Sequence, residues 1–115
     1  MARVLIVDKE AQIRKLLQTI LVGAGYQVLT AYDPQAAIEM CNSAAGFDVV
    51  VSGISLPGMD GHELARWIAG HCPSSRVILM SAIEPVCELC PFAGGCGMIR
   101  KPFTPKEVVA KVAEA

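Results

Sequence analysis

The sequence predicts one α/β domain built around a parallel sheet, and two observations lead there. Short apolar runs alternate with segments of helical period from end to end, five of each, which is the pattern of β-α-β units rather than of an antiparallel sheet. The chain has 115 residues, 53% of them hydrophobic and 18% charged, which suits a single packed core spanning residues 1–115.

The first strand is placed at residues 3–7. Ile13, Leu16, Leu17, Ile20 and Leu21 then recur at helical spacing and give one apolar stripe on a helix that ends near Gly23 or Gly25. The second strand covers residues 27–31 and is followed by Asp33-Pro34, where the aspartate can cap orphan amides and the proline suits the first helical position. That helix runs to about Asn42, with Cys41 on its apolar side as a core residue. The third strand is placed at residues 48–52. After its loop, Asp60 and Glu63 have the spacing of a capping box before Leu64, Trp67 and Ile68, so Asp60 reads as a helix cap rather than a catalytic group. The fourth and fifth strands are placed at residues 76–80 and 97–100. Thr104-Pro105-Lys106-Glu107 forms a second capping box and opens a last helix whose Val108, Val109 and Val112 face inward.

Composition excludes several function classes. A formal net charge of −1 gives no basic field for a nucleic-acid backbone, and no Lys/Arg cluster suits an anionic membrane surface. The N-terminal segment lacks the pattern of a signal peptide, and no apolar run approaches the ~20 residues that span a bilayer. The chain therefore reads as soluble and cytoplasmic. In that compartment Cys41, Cys72, Cys87, Cys90 and Cys96 are expected as thiols, metal ligands or redox pairs rather than a disulfide framework.

The stretch Val49-Val50-Val51-Ser52-Gly53-Ile54-Ser55-Leu56-Pro57-Gly58-Met59-Asp60-Gly61 carries the sharpest functional signal. It resembles the third strand and following loop of response-regulator receiver domains, the CheY-like family. Val4-Leu5-Ile6-Val7-Asp8-Lys9-Glu10 is similar to that family's first strand and acidic pair. Val77-Ile78-Leu79-Met80-Ser81-Ala82 is similar to its fourth strand and hydroxyl residue, and Lys101-Pro102-Phe103-Thr104 to its Lys-Pro-Phe signature. The resemblance covers essentially the whole chain. It implies a flavodoxin-like, doubly wound five-stranded parallel sheet in the order 2-1-3-4-5, flanked by five helices, with ligands meeting the carboxyl ends of the strands.

In the family the third strand ends in an aspartate that accepts a phosphoryl group; here that position is Gly53, which has no nucleophile. The reaction also uses a magnesium ion, a hard cation that takes oxygen ligands and offsets the charge of phosphate beside carboxylate. By position, Ser81 would be the hydroxyl, Lys101 the lysine and Asp8 one carboxylate, while Lys9 replaces the other carboxylate of the acidic pair. No useful Mg2+ binding and no phosphorylation are expected here. Lys9 reads either as a built-in cation paired with Asp8 or as a solvent-facing lysine. Ser52 and Ser55 flank Gly53 as substitute acceptors, but a hydroxyl without an adjacent base is a weak nucleophile. The family's aromatic switch position corresponds to Met98, which cannot reproduce the swing of a polar-tipped ring.

Residues 85–97 hold two prolines, three glycines and the spacing Cys87-x2-Cys90-x5-Cys96, which disfavours an ordinary helix where the family has one. Three readings stay open: packed free thiols, a zinc or iron-sulfur site in which Cys72 or His71 adds a ligand, and a redox pair of Cys87 and Cys90. His62 reads as a surface residue beside a helix cap, and Trp67 and Met80 as core.

The combined expectation is an atypical receiver in two-component or phosphorelay signalling that acts by protein contacts and is not an enzyme. No cofactor is expected beyond the possible cysteine-bound metal. Its partner would be a histidine kinase, another signalling protein or an output domain, with the output face around residues 84–100 and the last helix. The rivals are a metal- or redox-sensing module presenting the cysteine segment, and a receiver that phosphorylates a substitute residue.

Overall fold

The computed structural model describes residues 2–43, 46–53, 56–72, 75–81, 97–100 and 103–114. Within them the order is β1 (Arg3–Val7), α1 (Ala11–Gly23), β2 (Gln27–Ala31), α2 (Pro34–Ser43), β3 (Val49–Gly53), α3 (Gly61–His71), β4 (Arg76–Ser81), β5 (Gly97–Arg100) and α4 (Pro105–Glu114). The five strands form one parallel sheet in the order β2-β1-β3-β4-β5, as expected. Of the five helices expected, four lie among the described residues; the segment from 82 to 96 lies outside them.

Neighbouring strands pair in parallel throughout, and the sheet is buried on both faces because helices cover both. Val4, Ile6, Val51, Ile78 and Met80 pack on one side with Leu17 and Leu21 of α1 and Val108 and Val112 of α4. Leu5, Val7, Val50, Val77 and Leu79 pack on the other with Ala37 of α2 and Leu64, Ala65 and Ile68 of α3. Each fully buried Leu or Ile in these layers contributes about 1.5–3 kcal/mol of hydrophobic stabilisation.

Two inward placements differ from expectation. Leu16 is 46% exposed, because the buried stripe of α1 centres on Leu17 and Leu21 and leaves Leu16 on its edge. Val109 is only half-buried, lining with Ile20 an open groove between the end of α1 and the start of α4.

The helix ends follow local chemistry. Tyr26 N–H donates to the Leu21 carbonyl and Gly25 N–H to that of Val22, both at 3.0 Å, with Gly25 at φ +97°. This is a Schellman closure, which needs the left-handed conformation that glycine supplies. Asp60 accepts a 2.8 Å hydrogen bond from Glu63 N–H, so its cap role holds. Thr104 Oγ1 accepts from Glu107 N–H at 3.2 Å and starts α4 in the same way. Among the described residues no helix is long and apolar enough to cross a membrane.

Candidate functional site

Helices antiparallel to the strands return the chain so that every strand ends at the same edge of the sheet. Val7 of β1 lies in register with Ser52 of β3, which sets Asp8, just past β1, beside Gly53, the last residue of β3. Gly53 is in turn in register with Met80 of β4, and Ser81 of β4 with Arg100 of β5. Asp8, Gly53 and Ser81 thus line one edge, as the sequence predicted. Lys101 lies outside the described residues.

Asp8 is 3% exposed and held from several directions. Its N–H extends the parallel ladder by donating to the Ala31 carbonyl at 3.2 Å. Its carbonyl accepts a 2.6 Å hydrogen bond from the Arg14 guanidinium, one turn into α1. Its Oδ1 accepts from Glu10 N–H at 2.8 Å, the local side-chain closure that aspartate favours before a helix. That closure turns Oδ2 toward β3. An ideal Cβ on Gly53 would lie 2.9 Å from Asp8 Oδ2, 3.6 Å from Asp8 Cγ and 3.9 Å from Leu56 Cδ2. The Asp8 carboxylate thus lies closer to the Cβ position of Gly53 than Cβ contacts allow, and would have to shift for a side chain to stand there.

Ser52 is fully buried, and its hydroxyl donates to the Gly53 carbonyl at 2.8 Å. The proton that a nucleophilic serine must surrender is thus committed to a backbone acceptor. Ser55 lies outside the described residues. Lys9 is exposed next to Asp8 and makes a contact of its own. Glu10, the N-cap of α1, is also exposed. Among the described residues no three His, Cys, Asp or Glu side chains gather as a metal-holding group. Among the described residues the donor set at this edge offers one buried carboxylate, Asp8, with one oxygen already bonded to the backbone. This does not fit a hard octahedral cation that needs several oxygen ligands.

The other predicted positions are dispersed. Met98 is the second residue of β5, in register with Leu79. Cys87, Cys90 and Cys96 lie outside the described residues. Cys72, considered above as a ligand beside them, caps the end of α3 and is half-buried. His71 stacks on Trp67 with ring centroids 4.3 Å apart, and its Nδ1 must donate to the Trp67 carbonyl at 2.8 Å, since a carbonyl only accepts. The sequence reading missed Arg14 as the clamp on Asp8, although its place in the first turn of a helix that starts beside Asp8 was a usable signal.

Comparison with known proteins follows this geometry closely. Residues 4–113 match the family model described as "Response regulator receiver domain". The probable transcriptional regulator ycf27 of Guillardia theta is 35% identical over 112 residues, covering 96% of this chain and 43% of that protein. The transcriptional regulatory protein ResD of Bacillus subtilis is 33% identical over 111 residues, covering 96% and 46%. The chain thus spans less than half the length of these curated relatives. Among solved structures, response regulator TrrA of Thermotoga maritima, in complex with Mg(2+)-BeF, superposes with a TM-score of 0.88 at 30% identity, covering 99% of this chain and 98% of that one. The chemotaxis response regulator CheY4 of Vibrio cholerae gives a TM-score of 0.87 at 29% identity, with the same coverage of 99% and 98%.

Proposed function

The chain belongs to the response regulator receiver domain family, and on that premise we propose that it serves two-component signalling as an atypical receiver that works by protein contacts, without aspartyl phosphorylation. The observation that carries this reading is the 2.9 Å separation between Asp8 Oδ2 and the Cβ position of Gly53. A phosphoryl acceptor at position 53 would need room for a carboxylate and then for a phosphoryl group. Gly53 supplies no carboxylate, and the Asp8 carboxylate, anchored on Glu10 N–H, reaches over its Cβ position. The exposed ammonium of Lys9, in the place of the family's second acidic residue, further argues against a bound divalent cation.

On this reading the domain is a docking module rather than an enzyme. Its partner is a histidine kinase, another signalling protein or an output domain, reached through a face that includes α4. The test is intact-mass measurement of the protein after incubation with acetyl phosphate and Mg2+. An unchanged mass is the expected result. A stoichiometric gain of about 80 Da, the mass of one phosphoryl group, would refute the proposal and send the search to a substitute acceptor.

A further inference from the structure

The Asp8 carboxylate stands over Gly53 only while the turn that carries it keeps one shape, and three hydrogen bonds set that shape. Glu10 N–H donates to Asp8 Oδ1 at 2.8 Å. Arg14 N–H donates to the Glu10 carbonyl at 3.1 Å, as part of the first turn of α1. The Arg14 guanidinium reaches back to the Asp8 carbonyl at 2.6 Å. The chain of bonds thus runs from Asp8 to Glu10, from Glu10 to Arg14 and back to Asp8, a closed ring between the end of β1 and α1. The last of the three is charge-assisted, a class roughly twice as strong as neutral hydrogen bonds, and Arg14 is half-buried, which limits competition from water. On the strand side, Asp8 N–H is held by the Ala31 carbonyl at 3.2 Å. With one peptide of Asp8 fixed by the ladder and the other by Arg14, Glu10 N–H is presented at a single place, and the side-chain torsion that turns Oδ2 toward Gly53 follows.

We infer that Arg14 is the positioning residue of this pocket: by holding the Asp8 carbonyl to α1, its guanidinium keeps the Asp8 carboxylate against position 53. This role rests on the reading of Asp8 and Gly53 proposed above, and it adds the place from which their contact is regulated. Whether position 53 has room is then decided from α1, a helix whose Lys15, Gln18 and Thr19 are exposed, as well as from the strands. A contact that drew the Arg14 guanidinium outward would loosen Asp8 without touching it.

The test is a double-mutant cycle on the whole chain, with Gly53→Ala made in the parent protein and in Arg14→Met, which keeps an apolar stem and loses the guanidinium. Urea unfolding gives the ratio of folded to unfolded protein for each variant. Gly53→Ala should lower that ratio by about tenfold in the parent and by less than about threefold in Arg14→Met, where Asp8 is free to move aside. Gly25→Ala is the control. It strains the left-handed glycine at the other end of α1, so it weakens the same helix and should leave the tenfold effect intact. Amide exchange supplies a readout that a general loss of stability does not move. Relative to the Leu17 and Leu21 amides, Glu10 N–H should exchange at least about tenfold faster in Arg14→Met and at the parent rate in Gly25→Ala. If Arg14→Met does not fold, Arg14→Gln, whose side chain is two atoms shorter, takes its place. An undiminished effect of Gly53→Ala in the Arg14 variant, or an unchanged Glu10 exchange rate, would overturn the role of Arg14 and leave the Asp8–Gly53 contact standing. A harmless Gly53→Ala in the parent itself would remove both, while the acetyl phosphate measurement judges the absence of phosphorylation separately.

Discussion

Substituting Gly53→Ala tests the closed pocket with a single methyl group. Gly53 is not among the residues with positive φ, so its backbone accepts alanine without strain, and replacing glycine inside a strand ordinarily stabilises by about 0.5–1 kcal/mol. Here the added carbon would meet Asp8 Oδ2 at 2.9 Å, a separation that Cβ atoms do not tolerate. Asp8 would have to rotate away and release Glu10 N–H, forfeiting a hydrogen bond to a charged group worth about 1.5–3 kcal/mol. The balance is a net loss of about 1–2 kcal/mol, or roughly 4–8 °C in Tm for a domain of this size. In an Asp8→Ala background the clash is gone, and the same Gly53→Ala change should stabilise by about 0.5 kcal/mol. The double-mutant cycle, read by urea unfolding, should therefore return a coupling of about 2 kcal/mol. Equal effects of Gly53→Ala in both backgrounds would show that the carboxylate does not fill the pocket.

Three further outcomes are expected. The Gly53→Asp variant sets a second carboxylate against the anchored Asp8; it should be less stable than the parent protein in urea unfolding and gain no mass from acetyl phosphate and Mg2+, and a gain of about 80 Da would show that Asp8 gives way and leaves room for an acceptor. Asp60→Ala removes the acceptor for Glu63 N–H and should cost about 1 kcal/mol in chemical denaturation, with little change in the native fold. Because folding raises the Cys41 thiol from 9.0 to about 11, the unfolded chain releases that proton first as pH rises; stability should fall between those values, and the fall should be smaller in Cys41→Ala when the two proteins are melted side by side.

The fold was readable because nearly every local signal agreed with its neighbours. Apolar runs gave the strands, and the Asp60 and Thr104 caps gave the starts of α3 and α4. The third strand extends one residue beyond the predicted end because ladder pairing with Met80, rather than the low strand propensity of glycine, decides where Gly53 belongs. Of the two glycines offered as the end of α1, Gly25 is the left-handed one, since the residue after it, Tyr26, packs into the same cluster as Leu21. The adjacency of Asp8 and Gly53 followed from topology. The filling of the pocket did not, because it depends on a side-chain torsion set by Glu10 N–H, which no spacing in the sequence reveals. Cys41 and Cys72 were read separately, one as core and one as a possible ligand. Each sits at the end of its own helix, and both pack against the cluster that covers one face of the sheet.

The contact between Asp8 and position 53 also governs the order in which this sequence can change. A larger residue introduced at position 53 meets an anchored carboxylate, so that step alone passes through a less stable protein. Shortening Asp8 first opens the space and makes the later step neutral or favourable. The two positions are therefore coupled in this protein: while Asp8 keeps its bond to Glu10 N–H, a side chain added at the end of β3 has to displace it, and once Asp8 is shortened that cost is gone.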